Sequence, residues 1–195
     1  MSLISTLNTP KAMLDTTVLC GALLTDGANR SLLRIARLGI YQPVISNVCL
    51  LEFLHNASKG LGKGSKKKVF DWNTIDTFLN FFVFPSLLGK EVTNSVVSRN
   101  SYEVIKLLTL KPHHSLGDAI LQIMSLSEAQ LKELIIEKDM QLPLEDYDIN
   151  DFHVWSTAIE NNCDYIITSN TKRFPKKVGP ITRIHPIEFL RILES

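Results

Sequence analysis

The feature that most constrains this chain is an alternation of short apolar runs with segments of helical periodicity. Ala12–Leu14, Tyr41–Ile45 and Tyr165–Thr168 read as strands, and the last of them has no polar alternation, as in strands covered on both faces. Helical segments lie between these runs. The alternation predicts an α/β fold, with helices on both faces of a mostly parallel sheet of about four to five strands.

The helical segments have recognisable starts and stops. Ser46 is a good N-cap for a helix that runs through Ser58, and Pro186 suits the first turn of a final helix after a candidate strand at Ile181–Ile184. The other predicted helices are Thr17–Leu24, Asn29–Leu38, Asp71–Phe82 and Asp151–Asn161. Residues 1–10 look like a loose lead-in, and residues 95–145 read as a mainly helical insertion.

Length and composition fit one globular domain over residues 1–195. Hydrophobic residues make up 45% of the chain and charged residues 21%, which is far from the composition of disordered proteins. The three cysteines are widely spaced and suggest reduced core residues. No early apolar run approaches the ~20 residues of a membrane span. We therefore expect a cytoplasmic protein without a membrane helix.

Positive charge is clustered although the formal net charge is only +1. Residues 59–68 contain five lysines and no acid, and residues 172–177 contain four basic side chains. Either cluster could contact phosphate groups. A solvated loop explains the same pattern, so both interpretations stay open.

Two polar side chains lie just after the ends of predicted strands. Asp15 comes after Leu14, and Asn170 comes two residues after Thr168. Ligands of open parallel sheets sit beyond the carboxyl ends of the strands, so these side chains are candidate site residues. Asp15 could equally be a helix N-cap.

Two further acids lie on predicted helices. Glu52 stands among apolar neighbours, and no Lys or Arg can reach it along its helix, so a buried Glu52 needs a partner from elsewhere. An exposed position is the alternative. Asp151 opens a helix whose apolar stripe is Val154, Trp155 and Ala158, which makes it a cap, a metal ligand or both.

Asp15, Glu52 and Asp151 would repel one another if they met without a cation. Ligation by oxygen alone suits Mg²⁺ or Mn²⁺ better than zinc. The single histidines match no ligand spacing, and we expect an ordinary structural role for each. Such an ion can lower the pKa of a bound water and stabilise charge on a phosphate.

These segments together resemble the PIN-domain nucleases, over roughly residues 11–90 and 147–193. The motifs that carry the resemblance are Leu14–Leu19, Val44–Glu52, Asp151–Ala158, Asp164–Pro175 and His185–Leu190. The last two look most like the branch described as toxin components of toxin–antitoxin pairs. The resemblance implies a three-layer α/β/α fold and a metal-dependent endoribonuclease whose site a protein antitoxin covers.

The resemblance also assigns roles. It implies that Asp15, Glu52 and Asp151 bind the ion, that Asn170 belongs to the catalytic set, and that Thr168 and Thr17 support it. Thr17 stands where Asn is more usual. Asn170 replaces a fourth acid, so the site has one negative charge less and we expect one tightly held ion at most. The candidates to hold the RNA backbone are Lys66, Lys67, Lys68, Lys172 and Arg173.

Several alternatives stay open. The helical segment 95–145 is a candidate lid, homodimer surface or antitoxin dock. Asp118 lies in a segment that imitates the third motif, but no comparable strand follows it, so Asp151 is preferred. A PIN fold with impaired chemistry that binds RNA or a partner is a second interpretation, supported by Asn170. A DNA-directed or structure-specific nuclease with the same site is a third.

Overall fold

A five-stranded sheet forms the centre of the computed structural model, which describes residues 9–62, 64–93, 151–172, 174, 176–178 and 181–194. The strands are β1 (Lys11–Leu14), β2 (Gln42–Val44), β3 (Tyr165–Ile167), β4 (Lys177–Val178) and β5 (Ile181–Ile184). Their order is β2-β1-β3-β5-β4, and every pairing is parallel except that of β4 with β5. The predicted mostly parallel sheet is confirmed. The short edge strand β4 was not predicted.

Helices occupy the segments between the strands. They are α1 (Thr16–Leu24), α2 (Ala28–Arg37), α3 (Asn47–Lys59), α4 (Trp72–Phe78), α5 (Phe84–Ser86), α6 (Phe152–Glu160) and α7 (Pro186–Leu193). A π-helical turn, Leu79–Val83, joins α4 to α5, so helical backbone continues past the predicted end at Phe82. Pro85 lies in α5 directly after the π-helical turn.

The sheet has a buried core on each face. Ala12 and Leu14 belong to the larger core, with side chains from α1, α2, α3 and α7. Met13, which alternates with them along β1, is also fully buried, and α6 packs against β1 and β3. The α/β/α arrangement of a PIN-like fold is therefore present.

Strand register places the two central strand ends side by side. Leu14 pairs with Ile167, and the Asp15 N–H donates to the Ile167 carbonyl at 3.1 Å. Asp15 and Thr168 consequently leave the sheet at the same edge. On the other side of β1, Met13 pairs with Val44, so α3 also starts near this edge.

Some predictions fall outside the described residues. These are the helical insertion 95–145, which includes Asp118, and most of the lead-in 1–10. Among the helices that the structure describes, none combines the length and apolar character needed to cross a membrane.

Candidate metal centre

Asp15 is the most buried of the predicted acids, with 3% of its surface exposed. It holds the N-cap position of α1, but its carboxylate makes no capping hydrogen bond to that helix. Instead, the Oδ2 atom accepts hydrogen bonds from the Thr17 and Thr168 hydroxyls, each at 2.6 Å. Helix capping therefore does not explain this carboxylate.

The two threonine hydroxyls are themselves oriented by the backbone. Thr168 Oγ1 accepts from the Asn170 N–H at 2.9 Å, and Thr17 Oγ1 accepts from the Ser169 N–H at 3.0 Å. A hydroxyl that accepts from an amide has its own proton left to donate. Each threonine therefore directs its proton at the same oxygen of Asp15.

Burial is the largest influence on Asp15, and it raises the pKa of the carboxyl above its usual value. The hydrogen bonds from Thr168 and Thr17 lower this pKa, but the nearby negative charge of Glu52 raises it further. A divalent cation beside these two acids would offset both the burial and the repulsion.

Glu52 faces inward from α3, and 25% of its side chain is exposed. Its Oε2 atom accepts a hydrogen bond from the Thr16 hydroxyl at 2.5 Å and lies 3.4 Å from His153 Nε2. The Ser46 side chain caps α3 by accepting from the Cys49 N–H at 3.1 Å, as the sequence predicts. Glu52 thus has partners from two other helices.

His153 is fully buried next to Glu52. Burial disfavours its charged form, but interactions with Cys49 and Glu52 outweigh burial and raise the pKa of the imidazole well above its usual value. Ligand atoms of Cys49, Glu52 and His153 all lie within 4.8 Å of one another, so these residues could hold a metal ion. The sequence did not predict this group, because an ordinary structural role was expected for His153, two residues after Asp151.

Asp151 precedes α6 and is partly buried. The Asn170 side-chain amide donates to Asp151 Oδ2 at 3.3 Å. Asn170 therefore contacts the third predicted acid without adding negative charge.

The three predicted acids line a single cleft of about 400 Å³. Other lining residues include Thr16, Thr17 and Ser169. This volume is within the range of small-ligand sites. Carboxylates and hydroxyls are the donors that Mg²⁺ and Mn²⁺ prefer, and the burial of Asp15 would favour a cation further, so the donor types fit such an ion. The three acids share the cleft, but they are not among the described groups whose ligand atoms all lie within 4.8 Å of one another, so binding one ion requires their side chains to move closer together.

The predicted basic residues 66–68 lie near the rim of the cleft. Lys66, Lys67 and Lys68 are exposed, and Leu61, which pairs with Lys68, lines the cleft. A Cβ atom at Gly60 would come within 2.9 Å of the Lys67 side chain, so the stem of Lys67 covers that glycine. Lys68 Nζ lies 4.8 Å from the centre of the Phe70 ring.

The second basic group, residues 172–177, is described only in part. Lys172 is exposed two residues after Asn170, whereas Arg173 lies outside the described residues.

The fold and the cleft define an α/β protein with a candidate divalent-metal centre at the carboxyl edge of its sheet. A family model for the PIN domain matches residues 11–172, which covers β1 to β3 and all three acids. The chain therefore belongs to the PIN-domain family. Members of this family are generally metal-dependent nucleases. No curated protein and no solved structure matches the chain significantly.

Proposed function

We propose that this protein is an endoribonuclease that hydrolyses RNA phosphodiester bonds with Mg²⁺ or Mn²⁺ held by Asp15, Glu52 and Asp151. The observation that carries the proposal is that these acids line one cleft, where Asp15 is buried and not used for helix capping. Membership of the PIN-domain family supports nuclease chemistry in general.

An ion held by Asp15, Glu52 and Asp151 would supply positive charge for the phosphate and would lower the pKa of a water. The chain supplies the geometry. Thr168 and Thr17 fix Asp15 Oδ2 through their hydroxyls, and Thr16 fixes Glu52 Oε2. Asn170 orients Asp151 through its amide. Because Asn170 is neutral, we propose one tightly held ion.

We propose that the predicted basic residues contact the phosphates of the substrate. Lys66, Lys67, Lys68 and Lys172 are exposed, and Arg173 is their predicted neighbour. Multiple lysines bind phosphates without reading bases, so sequence preference would come from other contacts.

We further propose that the protein acts in the cytoplasm as a single domain, as the toxin component of a toxin–antitoxin pair. The resemblance of Asp164–Pro175 and His185–Leu190 to that branch supports the toxin role. All three cysteines are free, which suits a reducing compartment. A protein antitoxin would cover the cleft.

A second candidate function is a PIN fold that binds RNA or a protein partner with little cleavage. The observation that favours it is the neutral side chain of Asn170, which contacts Asp151 at a position where the resemblance to PIN domains implies a fourth acid. A nuclease that prefers DNA would use the same cleft.

The test is incubation of the purified protein with labelled RNA and single-stranded DNA, in Mg²⁺, in Mn²⁺ and in chelator. The informative variant is Asp15→Asn/Asp151→Asn. Its matched control is Asp26→Asn/Asp76→Asn, which makes the same change of charge at exposed positions. RNA cleavage that needs metal, survives in the control and disappears in the cleft variant supports the proposal.

The other outcomes separate the alternatives. Metal binding without cleavage supports the binding protein, and faster cleavage of DNA supports the DNA nuclease. Equal cleavage by both double variants would contradict the proposed site.

A further inference from the structure

We propose that Cys49, Glu52 and His153 form a second metal site, selective for zinc-like ions, that shares Glu52 with the carboxylate centre and so antagonises it. Its thiol and imidazole ligands distinguish this group from the carboxylates of Asp15, Glu52 and Asp151. The inhibitory consequence rests on the proposed function, whereas the binding site itself does not.

The geometry is close to that of a zinc site. Candidate ligand atoms of the three residues lie within 4.8 Å of one another, and His153 Nε2 lies 3.4 Å from Glu52 Oε2. Two ligands bound to a tetrahedral zinc at about 2.0–2.1 Å are separated by about 3.3–3.4 Å. The imidazole and the carboxylate already have this separation, and the Cys49 sulfur lies within 4.8 Å of a ligand atom of each.

The site is built on ordered helices. Cys49 and Glu52 are three residues apart on α3, which places them on the same face. The Ser46 side chain bonds to the Cys49 N–H and fixes the first turn of α3. His153 comes from a second helix, α6.

The ligand chemistry selects the ion. Thiolate and imidazole suit Zn²⁺ and Co²⁺, whereas Mg²⁺ prefers oxygen and gives up its waters reluctantly. Cys49 and His153 are both fully buried, so an ion there must lose most of its hydration shell. Three protein ligands leave one position for water, as in many zinc centres.

The shared residue explains the antagonism. Glu52 lines the cleft with Asp15 and Asp151, and the same Oε2 atom faces His153. A carboxylate drawn toward an ion at Cys49 and His153 is lost to an ion held by Asp15 and Asp151. Zinc should therefore weaken Mn²⁺ binding without occupying the same position.

The first test titrates the full-length protein with Co²⁺, which replaces zinc and has visible absorption. We expect one Co²⁺ per chain with a thiolate-to-metal charge-transfer band that excess Mg²⁺ does not remove. Cys49→Ser should eliminate the band and weaken Zn²⁺ binding by more than about 10²-fold. Cys163→Ser, also at a buried thiol, and Cys20→Ser, at a thiol that lines the cleft, should keep the band.

The second test measures Mn²⁺ affinity by electron paramagnetic resonance, with and without one equivalent of Zn²⁺. Zinc should weaken Mn²⁺ binding at least about tenfold in the wild type. Its effect should be clearly smaller in Cys49→Ser and His153→Gln, where zinc can only compete directly for the carboxylate centre. The second variant serves if Cys49→Ser does not fold by circular dichroism. Neither test uses RNA, so a failure of the nuclease proposal and a failure of this one are distinguishable.

Three results would overturn the proposal. One is a folded wild-type protein that binds Co²⁺ without a thiolate band. Another is a band that persists in Cys49→Ser or disappears in Cys20→Ser. The third is Mn²⁺ affinity that zinc does not change, which would mean that Glu52 bridges two compatible ions.

Discussion

Asp15 and Glu52 line the same cleft, but their surroundings differ. Asp15 is buried among hydroxyl groups and receives two hydrogen bonds at 2.6 Å from neutral donors. Glu52 receives one hydroxyl and also lies 3.4 Å from an imidazole whose pKa is raised. Without a metal ion, Glu52 therefore lies directly beside a positive partner within the protein. Asp15 accepts its hydrogen bonds from neutral hydroxyls, and the charge of His153 is the smallest of the influences on its pKa.

This contrast has an origin in the fold. Asp15 leaves the sheet where β1 and β3 end, and the residues after β3 supply backbone amides and a threonine there. Glu52 projects from α3 toward α6, so side chains of a second helix decide its environment. The same type of carboxylate can thus favour a hard ion at one end of a cleft and a softer ion at the other.

The largest expected effect is the loss of RNA cleavage in the Asp15→Asn variant. Loss of a ligand to the ion should reduce metal-dependent RNA cleavage by more than about 10²-fold, beyond what supporting residues usually contribute. Single-turnover assays at saturating Mn²⁺ check this, with Asp26→Asn as the control. Activity within a few-fold of wild type would mean that Asp15 does not hold the ion.

The next largest effect is on stability, measured in chelator at neutral pH. Neutralising Glu52 and neutralising Asp15 should change the free energy of unfolding in opposite directions. Glu52→Gln removes the anion beside buried His153 and should lower the free energy of unfolding by about 2–3 kcal/mol. Asp15→Asn removes a buried charge but keeps an acceptor for both threonines, and it should raise the free energy of unfolding by roughly 0.5–2 kcal/mol. Urea unfolding measures both, and changes of the same sign would contradict the contrast.

A smaller effect should separate the two threonines that bond to Asp15. Thr168→Val removes a fully buried hydroxyl that also accepts from the Asn170 N–H, and it should weaken Mn²⁺ binding about tenfold. Thr17→Val removes a half-buried hydroxyl and should have less effect. Calorimetric titration with Mn²⁺ provides the comparison, and equal affinities in wild type and Thr168→Val would exclude the supporting role.

The smallest effect is a pH dependence at His153 in the ion-free protein. Its folded pKa is raised above 6.5, so its stabilising contribution is present below pH 6.5 and is lost as pH rises through the folded pKa. Unfolding free energies in chelator above pH 6.5 should therefore fall with pH by at most about 1.4 kcal/mol per unit from this group. The decline should disappear in His153→Gln and persist in His55→Gln, an exposed control. Equal slopes in both variants would contradict the assignment.

Much of the fold and the outline of the cleft could be predicted from the sequence. The position after a predicted strand indicated Asp15, and the positions on predicted helices indicated Glu52 and Asp151. Both inferences were possible because predicted strands and helices depend only on local periodicity. The structure brings these acids to one cleft, and their role as ligands is a proposal. β4 has only two residues, too few for a period to be read.

The Cys49–His153 contact could not be predicted in the same way. It depends on how α3 and α6 pack, and residues separated by about a hundred positions show no spacing rule. The local signal was the presence of Cys49 one turn before Glu52 and of His153 two residues after Asp151. Thr16 was missed for a similar reason, since its bond to Glu52 joins α1 to α3.

Anomalous diffraction from crystals grown with Mn²⁺ tests the central claim most directly. The account predicts a manganese peak in the cleft, with oxygen ligands from Asp15, Glu52 and Asp151 and the threonine hydroxyls still bonded to Asp15. A cleft without a peak at saturating Mn²⁺, or a manganese bound only beside Cys49 and His153, would contradict it.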